Sequence, residues 1–217
     1  SAGEARRYFE AALAAEPGNI PARFYANWPD TVRSGAFVSS IVNDKALSAA
    51  GLSRWADLYL SQGLFPEAIA CLKEALRRDP AFSPASISLA QVLGSDKQYE
   101  ASIGLYNDLA AQFPDSSKIL TGLARVLAWS RHYDEAIVLY RKIIALDPSN
   151  PVPRREMART AMWAKRPRLA METYDAALSS PAGDPDSPAE SREYEAVDSR
   201  VRERIHRSIL LEKEAKK

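Results

Sequence analysis

The stretch LARVLAWSRHYDEAIVLYRKIIALDP, residues 123–148, reads as two helices joined by a short polar turn. The first ends at Trp129, where SRH breaks the pattern. The second opens on YDEA, with Asp134 and Glu135 placed to complement the positive end of a helix dipole. It closes at Pro148, which cannot continue a helix and fixes the turn that follows. The arrangement then returns further along the chain, where AMWAKRPRLAMETY (161–174) puts Trp163 in the place of Trp129.

Working outward, the phrases RRDP, AQFP and ALDP end at Pro80, Pro114 and Pro148, separated by the same interval as the two tryptophans. Alignment on these prolines gives four units: 49–82, 83–116, 117–150 and 151–184. The eighth residue of each is Ala56, Ala90, Ala124 or Ala158, and the twentieth is Ala68, Ser102, Ala136 or Ala170. Two helices that cross at close range need little side-chain volume at the contact, so these slots mark where helix A touches helix B. Larger residues surround them: Trp55, Leu89, Leu123 and Met157 at the seventh slot, and Leu72, Tyr106, Tyr140 and Tyr174 at the twenty-fourth. The fourth unit carries Ala182 in the proline slot, with Pro181 one residue earlier.

A constant period, paired helices, small contact slots and proline punctuation together resemble the tetratricopeptide repeat (TPR), whose unit is about 34 residues long. The resemblance implies an all-α solenoid that winds as a right-handed superhelix. In the same register, Ala5, Phe9, Ala12 and Pro17 of GEARRYFEAALAAEPGN make 1–19 a partial repeat, helix B alone, as in a piece of a longer array. Segment 20–48 is five residues short of a unit, Trp28-Pro29 interrupts its first helix, and it reads as a degenerate repeat. After the proline-rich stretch SSPAGDPDSP (179–188), a charged amphipathic helix runs over 188–217. Ser187, Pro188 and Glu190 form a capping box, and Tyr194, Val197, Val201, Ile205 and Ile209 make one apolar stripe. Its expected role is to cap the open face of the last repeat; docking to another chain is the alternative.

Composition bounds the function. Hydrophobic residues at 46% and charged residues at 26% suit a folded soluble chain. A net charge of +1 offers no bulk attraction to nucleic acid or to an anionic membrane. No apolar run approaches the roughly 18–20 residues of a membrane span, and no basic-then-apolar leader opens the chain. Catalytic groups are scarce. His132 and His206 have no cysteine or carboxylate at metal-ligand spacing, and there is neither a phosphate-binding glycine loop nor a glycine-flanked serine. No enzyme activity, metal or cofactor is expected. Cys71, the one cysteine, lies in AIACLKEAL and reads as a buried small hydrophobe.

What remains is binding. The family resemblance implies that slots 2, 5, 9, 12 and 13 of each unit face a concave groove. In the first two full units these slots are bland: Ala50, Ser53, Asp57, Leu60 and Ser61, then Pro84, Ile87, Gln91, Gly94 and Ser95. In the last two they are Lys118, Thr121, Arg125, Ala128 and Trp129, then Val152, Arg155, Arg159, Met162 and Trp163. Lys118, Arg125, Trp129, Arg155, Arg159 and Trp163 are therefore the candidate partner-binding residues. Arg125, Arg155 and Arg159 read as a basic strip bordered by the two tryptophans, the residue types most enriched in binding hot spots. The bland alternatives are packing filler for the tryptophans and an ordinary solvated face for the arginines. One TPR subfamily clamps C-terminal carboxylates of chaperones with asparagines among slots five and nine; these slots hold none here, so that mode is rejected. The stretch 117–178 also resembles the repeats of bacterial TPR proteins that serve exopolysaccharide export. That resemblance implies a periplasmic module that recruits polymer-modifying enzymes or guides the polymer. A protein or peptide is the expected partner, a polysaccharide the alternative, and self-association through repeat ends or the terminal helix a third expectation.

Overall fold

A computed structural model describes residues 2–16, 18–28, 32, 34–178, 203–211 and 214. All regular structure among them is helical. In chain order the helices are α1 (Ala2–Ala15), α2 (Ile20–Ala26), α3 (Gly35–Val42), α4 (Ala49–Ser61), α5 (Phe65–Arg78) and α6 (Ser83–Ser95). They continue as α7 (Tyr99–Gln112), α8 (Ser117–Trp129), α9 (Tyr133–Leu146), α10 (Val152–Trp163) and α11 (Pro167–Leu178). Residues 203–211 are helical again. Proline sits in the first turn of α5, α6 and α10, where its missing N–H costs no intrahelical bond. The chain forms two compact units, Ser1–Leu105 and Tyr106–Lys217.

The small slots do what their volume suggests. Ala56, Ala68, Ala90, Ala124, Ala136, Ala158 and Ala170 are all buried where paired helices touch. Ser102, buried in the same kind of slot, donates its hydroxyl to the carbonyl of Ala90 at 2.6 Å, so its polarity is satisfied inside the contact.

In the first unit, α4 packs on α5, α2 packs on α4, and α1 packs on α2. The core is aromatic at this end: Phe24 stacks on Trp28 at 5.6 Å and meets Tyr59 edge-on at 5.4 Å. Phe9 of α1 stacks on Tyr25 at 5.3 Å. The Asn19 side chain caps α2 by accepting from the Ala22 amide, and the helix stops at Ala26, two residues before Trp28. The short α3 is held from outside. Arg78, on α5, donates to the carbonyls of Val42, Asp44 and Leu47 and pairs with Glu74, supplying donors that the C-terminus of α3 lacks. Cys71 is fully buried, and its thiol is pushed up to about 12 by burial and then by the charge of Glu67.

In the second unit, α8 pairs with α9 and α10 with α11, and α10 also packs on α9 and α8. Lys142 ties α9 to the turn before α8, donating to the Pro114 carbonyl at 2.6 Å. Gly122 gives Tyr106 its place: a Cβ there would stand 2.4 Å from the phenol ring. From the terminal helix, Ile205 is buried among Ala158, Ala161, Ala170 and Tyr174, and Ile209 packs against the same cluster. Residues 203–211 thus cap the last helical pair. The capping box at 187–190 and the stripe residues Tyr194, Val197 and Val201 lie outside the described residues.

The turn from helix A to helix B is built the same way four times. Gly63, Lys97, Arg131 and Lys165, each one repeat on from the last, have φ of 70°, 64°, 70° and 57°. The amide after each one bonds back five residues, Leu64 to Tyr59, Gln98 to Leu93, His132 to Leu127 and Arg166 to Ala161, at 2.8–2.9 Å. This is a left-handed helix cap, a position that favours glycine. A side-chain-bearing residue loses about 1–2 kcal/mol there, of which a cation recovers about 0.3–1 kcal/mol from the helix dipole.

Candidate functional site

Trp129 is the last residue of α8 and Trp163 the last of α10, so each indole stands beside a left-handed turn. Both are large hydrophobics left in solvent, 38% and 42% exposed. Each indole is thus partly covered and partly open. Arg125 and Arg159 lie four residues earlier on the same helices, one turn back on the same face. The Arg159 guanidinium sits over the Trp163 ring, 5.3 Å from its centroid.

Between the arginines stands a residue outside the five groove slots. Glu156 places Oε1 3.6 Å from the Arg125 guanidinium and bonds Arg159 through Oε2. Its side chain is 14% exposed, against 41% and 50% for the two arginines. One partly covered carboxylate therefore holds two half-exposed cations and joins α8 to α10. The basic strip expected of Arg125, Arg155 and Arg159 thus has a carboxylate within it: Glu156 offsets part of its charge and ties Arg125 to Arg159. The signal was present in the repeat register. Arg125 is slot nine of one unit and Glu156 slot six of the next, while Glu156 and Arg159 are three apart on one helix.

Under this bridge lie two buried phenols. Burial and then the Glu156 carboxylate push Tyr140 well above the usual phenol range, against the opposing pull of Arg125 and Arg159. Burial also raises Tyr106, with Arg125 acting in the other direction. Arg155, partly buried, stands one residue before Glu156, about 100° around α10, and is engaged within the chain. Lys118 is exposed in the first turn of α8, roughly 16 Å along the helix axis from Trp129, so it is not part of the cluster. The structure brings together Arg125, Arg159, Glu156 and Trp163, with Trp129 one turn beyond Arg125.

Other chemistry is sparse. Among the described residues, no group of three or more His, Cys, Asp or Glu side chains is placed to hold a metal ion. His132 is exposed in the turn, its Nδ1 2.9 Å from the Ser130 hydroxyl. Among the described residues no helix is long and apolar enough to cross a membrane.

Two family models described as tetratricopeptide repeat match the chain, one at residues 53–117 and 87–151, the other at 130–187. No curated protein matches. Among solved structures, MamA 41-end from Desulfovibrio magneticus RS-1 is similar at 15% identity, with a TM-score of 0.60 over 82% of this chain and 93% of that one. YrrB, described as a TPR protein with an unusual peptide-binding site, is similar at 17% identity, with a TM-score of 0.56 over 80% and 92%. A second MamA structure gives 18% identity and a TM-score of 0.53 over 81% and 85%. At these identities the likeness is one of fold.

Proposed function

Because the chain belongs to the tetratricopeptide repeat family, we propose that it is a non-catalytic scaffold whose second unit binds a protein or peptide. The face that α8 and α10 share carries the contact, the side that the family resemblance assigns to a concave groove. The observation behind this reading is that two exposed tryptophans, one repeat apart, share that face with a preorganised Arg125–Glu156–Arg159 bridge. An indole with about 100 Å² still open would contribute on the order of 2 kcal/mol if a partner covered it. Arginines already held by Glu156 and by the Trp163 ring lose less freedom on binding than free side chains do. The peptide-binding site named for YrrB, a protein of similar fold, is in keeping with this use.

The test is selection of binders from a random peptide display library on the immobilised chain. The expected result is a set of peptides that bind the native chain and lose most of their affinity for a W129A/W163A variant with an unchanged helical spectrum. Peptides that bind both forms equally, or none at all, would sink the proposal.

A polysaccharide is the second reading, favoured by the same pair of open indoles, since an aromatic face stacks on a sugar ring as it does on apolar side chains. It goes with the resemblance of 117–178 to exopolysaccharide-export repeats and with a periplasmic setting. Binding of neutral oligosaccharides that salt does not weaken would support it over the peptide reading.

A further inference from the structure

In the second unit two turn cations, Arg131 and Lys165, form no ion pair among the described residues. Arg131 and Lys165 occupy left-handed positions, at φ of 70° and 57°, where the equivalent turn of the first full repeat has Gly63 and that of the second has Lys97. Glycine would serve the turn better, because a cation at a helix end recovers only part of what a left-handed side chain loses. Strained positions of this kind cluster at functional sites, and these two, unlike Lys97, each follow an exposed indole by two residues. Arg131, Lys165 and Arg168 are exposed and have no ion-pair partner among the described residues. The turns lie side by side, because Arg166 of one pairs with Asp134, just past the other, at 2.6 Å. Trp129 and Trp163 stand two residues before the two strained cations. The edge therefore alternates half-exposed indole and exposed cation, twice. Its exposed carboxylates are Asp134, already paired, and Glu135.

We propose that this turn edge is a docking surface for an acidic peptide segment, with Arg131 and Lys165 receiving its carboxylates and Trp129 and Trp163 its apolar side chains. The proposal rests on the reading that the second unit binds a peptide, and it adds the peptide's charge and the edge it follows. Helices in contact lie about 8–10 Å apart, close to the reach of three residues of extended chain. A fitting segment repeats an acidic and an apolar residue at about that interval. A membrane surface fits less well, because the indoles are half covered and Glu135 and Glu156 lie close by.

The test uses a labelled glutamate-rich peptide with phenylalanine at every third position, titrated against the native chain and three variants. R131G/K165G removes both charges and relieves both turns. It is expected to melt at the same or a higher temperature and yet bind the peptide roughly two- to thirtyfold more weakly. R131K/K165R keeps the charges and is expected to bind as the native chain does, with affinity falling as salt is raised. W129A/W163A is expected to bind weakly. If R131G/K165G binds as the native chain does while W129A/W163A does not, the edge proposal is overturned and the peptide-binding reading stands. If W129A/W163A binds unchanged, that reading falls as well. A native chain that ignores the peptide also overturns the proposal, and its binding to phosphatidylserine vesicles or to an acidic polysaccharide would then assign the edge to that anion instead.

Discussion

Glu156→Gln tests the centre of the site, because one substitution should move stability and binding in opposite directions. The glutamine is isosteric, so packing is kept and only the charge goes. Glu156 serves two pairs, to Arg125 at 3.6 Å and to Arg159, and both arginines are about half exposed. Partly exposed pairs are worth roughly 0.2–1 kcal/mol each, which puts the loss of stability near 0.5–2 kcal/mol. The amide nitrogen must also face a guanidinium, donor against donor. Binding moves the other way. The cluster of Arg125, Arg159 and Glu156 changes from a net charge of +1 to +2. For a ligand carboxylate about 8 Å away, one extra unit of charge contributes on the order of 0.5–2 kcal/mol, or about two- to thirtyfold in affinity. Urea melts followed by circular dichroism read the first quantity, and anisotropy titration with an acidic peptide at low and high salt reads the second. A variant as stable as the native chain, with unchanged affinity, would show that the bridge is an idle surface contact. Lower affinity would show that Glu156 itself accepts from or orders the ligand, and the argument from charge would be wrong.

Three further outcomes follow from the packing and the titrating groups. Gly122→Ala should destabilise the second unit by about 1–3 kcal/mol in a urea melt, since the new methyl meets the Tyr106 ring at 2.4 Å. Shortening that ring in a Gly122→Ala/Tyr106→Leu double variant should cost less than the sum of the single changes. Cys71 should resist a thiol reagent at pH 8 in the folded chain and react at once in denaturant; because its folded thiol lies near 12 and its unfolded one at 9.0, its contribution to stability is whole below pH 9 and lost as pH rises toward 12. Glu74, bonded to Arg77 and Arg78, is lowered from 4.5 to about 2, so its contribution is present above pH 4.5 and lost as pH falls toward 2; the stability gap between native chain and Glu74→Gln should close over that window.

How much of this was legible depends on whether a residue answers to its own repeat or to its neighbour. The small slots at Ala56, Ala90, Ala124 and Ala158 obey a volume limit that holds in every unit, so four aligned copies expose them and with them the all-helical fold. Trp129 and Trp163 were found the same way, because the end of helix A has one place beside a turn, and the register identifies it. Glu156 escaped because slot six has no common chemistry: it holds Arg54, Ser88, Gly122 and Glu156. What fixes that slot is the twenty-fourth residue of the preceding unit and the ninth residue one helix away, as Gly122 beneath Tyr106 and Glu156 between Arg125 and Arg159 both show. Arg78 was hidden for a related reason, since its partners include the backbone carbonyls of Val42, at the end of α3, and of Asp44 and Leu47 beyond it, and a carbonyl has no letter in the sequence. Slot fifteen is the instructive case. Gly63 alone announces a left-handed turn, while Lys97, Arg131 and Lys165 disguise it, because lysine and arginine are helix formers by propensity. Once the register shows that all four share one backbone, the turn alone does not account for a cation in place of glycine, since the helix dipole returns only part of the loss. Slots that stay constant therefore report the fold, whereas a slot that varies answers to its neighbours, as Gly122 does to Tyr106 and Glu156 to Arg125 and Arg159.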